Sequence, residues 1–284
     1  MTRNQPTIVD THVHFWNPKQ FRYAWLDGLP VLNQAILPQD LAAAATSTPI
    51  SKFIFAEGGC NPSQSLQEVD WVTGFAGANP QLKGIVAHAA LEQGKPVLRD
   101  LELLAGRPLV KGVRRNLQAE SNDFLTRPTL IEGLRLLPKF NFTFDLCIRP
   151  DQLASAGEIA RRVPEVTFVL DHLGKPPVRD KSFEPWARNL RALAGAPNVV
   201  CKISGLATEA NAADWQRADL EPYFDHALAC FGLSRVLFGS DWPVAILATS
   251  YERWVETVLD LVSFANETER AQLFRTNAER IYRV

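Results

Sequence analysis

Ionisable side chains close apolar, β-prone runs at both ends of this chain. One run leads through Asp10-Thr11-His12-Val13-His14, and another, Val236-Leu237-Phe238-Gly239-Ser240-Asp241, stops on a carboxylate. A third imidazole, His172, follows Phe168-Val169-Leu170-Asp171. In an extended strand residues i and i+2 share a face, so His12 and His14 project together. Imidazoles and an ionised carboxylate can move protons, steady developing negative charge, or bind a divalent metal. If these runs belong to one closed sheet, the four groups meet at one rim as a hydrolytic site. Plainer readings stand beside this one. A strand-end histidine often satisfies a backbone carbonyl, and Asp241 could cap a following helix. Against the cap, Trp242-Pro243 intervenes before any helical period begins.

Eight short runs rich in β-branched or aromatic residues would position these groups. They lie at 7–13, 52–56, 84–89, 110–114, 142–148, 166–170, 199–203 and 236–238, and stretches of helical period separate them. Ser65-Leu66-Gln67-Glu68 predicts a capping box opening a helix. Pro96 suits a first helical position before Leu98, Leu101 and Leu104. Trp254, Val258 and Leu261 stripe a helix over 251–262, and 267–282 predicts one closing helix. Strict alternation implies parallel strands with crossover helices. About eight such units in about 250 residues is the size of a (β/α)8 barrel, although an open doubly wound sheet fits almost as well. No G-x-G-x-x-G follows the first run. No repeat or linker divides the chain, so 1–284 reads as a single domain.

The bulk properties narrow the function. The 284 residues are 46% hydrophobic, enough to bury a large core. A net charge of -1, from 30 basic and 31 acidic residues, gives no broad field for nucleic acid or an anionic membrane. Cys60, Cys147, Cys201 and Cys230 form no C-x-x-C pair, which argues against zinc knuckles and redox motifs. The start, Met1-Thr2-Arg3-Asn4-Gln5-Pro6, lacks the apolar core of a signal peptide. No apolar run reaches the roughly 18 residues of a membrane span. The expectation is a soluble, cytoplasmic protein.

Six segments together resemble the amidohydrolase superfamily, and within it the sugar-lactonase and 2-pyrone-4,6-dicarboxylate lactonase group. They are D-T-H-V-H-F-W at 10–16, V-K-G-V-R-R-N-L-Q at 110–118 and V-L-D-H-L-G-K-P at 169–176. The others are V-C-K-I-S-G-L at 200–206, F-G-S-D-W-P-V at 238–244 and T-N-A-E-R-I-Y at 276–282. The resemblance implies a single, distorted TIM-type (β/α)8 barrel and so decides against the open sheet. Many superfamily members bind metals through H-x-H, a carboxylated Lys or a Glu on the fourth strand, His on the fifth and sixth, and Asp on the eighth. This chain departs from that set: its fourth run ends in Arg114-Arg115, and its fifth has no histidine. The resemblance to lactonases therefore implies that no metal is required, with His12, His14 and Asp241 holding zinc weakly if one is bound.

The function so implied is hydrolysis of an aldonolactone such as L-fucono-, L-rhamnono- or L-galactonolactone. Asp241 would be the general base toward water, with His12, His14 and His172 polarising the lactone carbonyl. Arg114 and Lys202 match substrate-binding positions of the family, although a salt bridge from Lys202 to Asp145 or Asp171 is the alternative. Glu57, which ends the second run, could accept hydrogen bonds from sugar hydroxyls. His88 ends the third run, where a core role is equally open, and Arg115 is a weaker candidate. The aromatic loop 15–25, with Trp25, could cover a sugar ring. A 2-pyrone-4,6-dicarboxylate lactonase is the alternative, but two carboxylates call for several arginines and the seventh run offers Lys202. A metal-dependent amidohydrolase or decarboxylase is disfavoured by the missing fifth-run histidine. The expected partner is a small sugar lactone, with no nucleic acid or membrane and with a homo-oligomer left open.

Overall fold

A computed structural model describes residues 6–284, so all but Pro6 of the start at 1–6, on which the signal-peptide expectation rests, lies outside the described residues. Eight parallel strands pair in chain order: β1 (Ile8–Val13), β2 (Ile50–Ala56), β3 (Leu82–His88), β4 (Val110–Arg114), β5 (Thr143–Leu146), β6 (Phe168–Leu170), β7 (Val199–Ile203) and β8 (Val236–Phe238). Past the end of β8 the ring closes. Val13 bridges Trp242 in parallel, Asp241 N donates to His12 O (2.9 Å), and His14 N donates to Trp242 O (2.8 Å). This is the distorted (β/α)8 barrel that the resemblance implied. Two strands joined in parallel need a crossover, and helices such as Leu98–Ala105, Leu153–Arg162 and Arg217–Phe231 supply it.

Inside the barrel two layers are stacked. Val9, Ile54, Val86, Val169, Val200 and Leu237 form an apolar layer, against which Ala278, Ile281 and Tyr282 of the last helix pack. Two residues further along β3, β4, β6 and β7 the period-2 rule brings His88, Arg114 (after Gly112), Asp171 and Lys202 to the same side. β1 does not keep this phase. Asp10 to Val13 spans the same stretch as Phe53 to Phe55 of β2, so one extra residue bulges β1. The bulge turns His12 and His14 to the side that Val9 occupies lower down. Bulges re-aim side chains in this way beside functional sites.

Three local expectations need correction. The helix Ser65–Thr73 is not opened by a Ser65–Glu68 box: a 3-10 turn, Pro62–Gln64, precedes it, and the Asn61 side chain caps that turn by accepting from Ser63 N (3.1 Å). The Ser65 hydroxyl donates to Pro62 O (2.9 Å), and Glu68 is used elsewhere. Pro96 lies in a 3-10 turn, Lys95–Val97, from which the helix Leu98–Ala105 continues. The closing helix is three pieces, Glu267–Ala271, a π-turn Gln272–Thr276 and Asn277–Tyr282, with Asn266 and Glu269 forming a reciprocal box at its start. Among the described residues no helix is long and apolar enough to cross a membrane.

Candidate active site

The four residues that the sequence placed at strand ends converge. Asp241 Oδ1 lies 3.4 Å from His14 Nε2, 3.7 Å from His12 Nε2 and 4.0 Å from His172 Nε2. Asp241 has a left-handed backbone (φ 59°), and its side chain caps nothing: Pro243 occupies the cap position of the following 3-10 turn, Val244–Leu247. The cap alternative is thereby removed. Gly205 backs this cluster so closely that a Cβ there would lie 2.6 Å from His172 Nδ1 and 3.2 Å from Asp241 Oδ2. Its own φ of +60° is a second reason for glycine.

Burial sets the protonation states. It opposes ionisation of Asp241, but the imidazoles of His172, His14 and His12 prevail and hold the carboxyl below the usual carboxylate range. Burial pushes His172 down to about 4 despite Asp241 and Asp171, so at neutral pH it is uncharged. His12 is lowered by burial too, against the attraction of Asp171 and with Lys202 and His172 adding to the lowering. His172 Nδ1 lies 2.9 Å from Ser204 Oγ.

The donor set fits a divalent metal. His14 Nδ1 donates to Ala56 O (2.8 Å), which leaves a lone pair on Nε2. That nitrogen faces His12 Nε2 at 3.1 Å. The other ring nitrogen of His12 lies 3.3 Å from Asp171 Oδ1. With its proton there, His12 Nε2 is bare as well, and two lone pairs and a carboxylate oxygen point at one another. Ligand atoms of His12, His14 and Asp241 all lie within 4.8 Å of one another, the three-ligand set of a catalytic zinc site. A second group, His12, Asp171 and His172, is equally compact. There Asp171 is already met by Lys202 (3.1 Å) and Arg114 (3.3 Å).

Asp241, His14, His172, Arg114, Glu57, His88 and Trp25 line one cavity of about 550 Å³. Arg114 Nε donates to Glu57 Oε1 (2.8 Å) and Nη2 to Glu57 O (2.7 Å), so only part of its donor fork faces the cavity. Glu57 also accepts from Gly59 N (2.6 Å). Trp25, 38% exposed, donates to Gly58 O (2.9 Å) at the mouth. Burial lowers His88 below its ordinary value. Arg115 lines the wall too and pairs with Glu92 (2.9 Å) and Glu120 (2.6 Å).

Lys202 is the exception. Its ammonium is fully buried among Asp145 (2.5 Å), Asp171 (3.1 Å) and His12 Nδ1 (3.2 Å), and Tyr282 donates its hydroxyl to Asp145 (2.8 Å). The substrate contact expected of Lys202 gives way to the alternative salt bridge, with both carboxylates together. A buried ammonium needs such partners. His12 lies at the same depth, 0% exposed. The sequence reading missed Lys175, Cys147, Asn116 and Gln118, which share the cavity wall. For Lys175 the only signal was its place in the H-L-G-K-P segment.

Known proteins resemble this chain over most or nearly all of its length. An L-fucono-1,5-lactonase of Burkholderia multivorans is 31% identical over 298 residues, covering 96% of this chain and 95% of the relative. An L-rhamnono-gamma-lactonase of Scheffersomyces stipitis is 25% identical over 204 residues, 62% of this chain and 60% of that one. Among solved structures, an amidohydrolase from Burkholderia multivorans with bound zinc superposes with a TM-score of 0.87 at 29% identity, covering 98% of this chain and 99% of that chain. That zinc-bound relative, with the convergent donors of His12, His14 and Asp241, overturns the expectation that no metal is required. The missing fourth- and fifth-strand ligands, from which that expectation came, leave three donors that suffice for one ion. The amidohydrolase family profile matches residues 9–284, and with this barrel and this cluster of histidines and aspartate the chain belongs to that family.

Proposed function

We propose that this protein is a lactonase that opens a sugar aldonolactone to its aldonic acid. The observation that carries the reading is a carboxylate held ionised among three imidazoles, on the wall of a cavity lined by ionisable side chains and large enough for a sugar ring. The two relatives named as sugar lactonases support it. Asp241 takes a proton from the water that attacks the lactone carbonyl, and returns it to the ring oxygen as the C–O bond breaks. His172, neutral and braced by Ser204, polarises the carbonyl from the end of β6. His12 and His14 flank Asp241 and fix its orientation. These two histidines and Asp241 are also the residues that would hold a divalent metal, which supplies Lewis acidity and acidifies bound water. Glu57 and Arg114, locked to each other, present a preformed acceptor and donor to sugar hydroxyls.

Two carboxylates of a pyrone dicarboxylate would need two unsatisfied cations. Arg114 and Arg115 are each already paired with carboxylates of this chain, which favours the sugar lactone. The test is acid release, followed with a pH indicator, from a panel of aldonolactones and from pyrone dicarboxylate, with and without added zinc. Turnover of one sugar-lactone series is expected. Turnover of pyrone dicarboxylate alone, or of nothing in the panel, would overturn the reading.

A further inference from the structure

Beyond β6 the backbone does something unusual. His172, Leu173, Gly174 and Lys175 all have positive φ (53°, 54°, 69° and 53°). Left-handed conformations are costly for residues that carry a Cβ, so three of them within four consecutive residues persist only where the surroundings impose them. They are imposed here. Lys175 N donates to His172 O (2.7 Å) and closes the turn, while Trp186 Nε1 donates to the buried Leu173 carbonyl (2.9 Å). A Cβ at Gly174 would come within 2.7 Å of Leu153 Cδ2. In a three-residue turn positions i and i+3 eclipse. The strain therefore sets Lys175 beside His172, and both line the cavity that holds Asp241.

Among the described residues the Lys175 ammonium has an ion pair but no hydrogen-bond partner. Its carboxylate neighbour, Glu209, is 3.8 Å away, beyond hydrogen-bond distance. The other cavity cations are engaged: Arg114 donates to Glu57, and Arg115 to Glu92 and Glu120. Its side chain keeps 25% of its surface exposed. Lactone opening generates negative charge twice, first on the carbonyl oxygen of the tetrahedral species and then on the product carboxylate.

Resting on the lactonase reading, we propose that Lys175 is a catalytic residue whose ammonium receives the carbonyl oxygen as it becomes an oxyanion and then holds the carboxylate of the product. As water oxygen bonds to the carbonyl carbon, its proton goes to Asp241 and the carbonyl electron pair moves onto the oxygen facing Lys175. The carbonyl then re-forms, the ring C–O bond breaks, and the ring oxygen takes the proton from Asp241. The acid so formed gives its own proton to solvent. Lys175 donates hydrogen bonds throughout and transfers no proton.

The test compares wild type with Lys175→Met, Lys175→Gln and Lys175→Arg. Calorimetry would measure binding of L-fuconate, L-rhamnonate and L-galactonate, with L-fucitol as an uncharged control, and folding would be checked by circular dichroism. A charge-assisted hydrogen bond contributes about 10- to 100-fold in affinity. Lys175→Met and Lys175→Gln should lose aldonate binding by that factor and keep L-fucitol within about twofold, with Lys175→Arg recovering part. On the lactone, kcat should fall about 100-fold with KM changed less than threefold. Either neutral variant, folded and binding aldonate as wild type does, overturns the proposal, as does a wild type that binds none of the three. Aldonate binding that depends on Lys175 in a protein that opens no lactone would sink the lactonase reading alone.

Discussion

An amide at position 241 would keep the shape of the side chain and lose its charge. General-base catalysis contributes about 10²- to 10⁴-fold, so Asp241→Asn should lower kcat by that amount with its melting curve intact. A variant that keeps wild-type kcat would show that another group takes the proton. The pH profile has a definite shape as well. Asp241 is held below the usual carboxylate range, and His172 stays neutral above about pH 4. The rate should therefore be level from about pH 5 to 8, and a limb centred near 6.5 would point to an imidazole base. Arg114→Met should act first on stability. It strands Glu57 inside the barrel and leaves Asp171 with Lys202 as its cation, a loss of about 3–5 kcal/mol in urea titrations. A loss below about 1 kcal/mol would mean that solvent already screens the pair. His12, His14, His172 and Asp241 were legible because each stands where an apolar run stops. Lys202 was legible only as a choice between two partners, since period 2 gives its side of the strand but not its depth. Lys175 was illegible: a left-handed turn of ordinary residues has no periodic signature.

Glu68 shows how a helix can serve a loop. Its carboxylate accepts from Tyr23, in the loop after β1, and from Gly58 N, in the loop after β2, while Trp25 holds Gly58 O from the other side. Burial, reinforced by Glu57, raises Glu68 from 4.5 to about 8. The folded chain therefore binds a proton that the unfolded chain releases between those values, and stability declines as pH rises through that window. Glu68→Gln should flatten the decline in melting temperature between pH 5 and 8, and a slope equal to wild type would show that other groups set it. The same residue explains a failed expectation. Ser65 and Glu68 have capping-box spacing, but spacing does not reveal that a loop 45 residues earlier (Tyr23) needs the carboxylate more. Strands read better than caps: 110–114, 199–203 and 236–238 match their observed bounds, because alternation and branching are local. The β1 bulge was hidden, since it depends on the register with β2.

The barrel as a whole makes a prediction about metal. A ligand that binds only the folded state stabilises it by about 2.7 kcal/mol at 100-fold excess over Kd. Zinc should therefore raise the melting temperature by about 5 °C, chelation should reverse the gain, and His14→Ala should abolish it. An equal response in His14→Ala would place the ion elsewhere. At this scale the strand–helix alternation specified parallel strands but not closure, because an open sheet uses the same units. Closure depends on hydrogen bonds across the seam between Asp241 and His12, 229 positions apart. On the proposed mechanism Asp241 is the base and His12 helps to orient it, which gives the seam a consequence in time. In synthesis the imidazoles of His12 and His14 precede the carboxylate of Asp241 by more than 220 residues, and on the proposed mechanism no turnover comes before that carboxylate. Lactone turnover would then double as a signal that the ring has shut, available in any refolding experiment without a label.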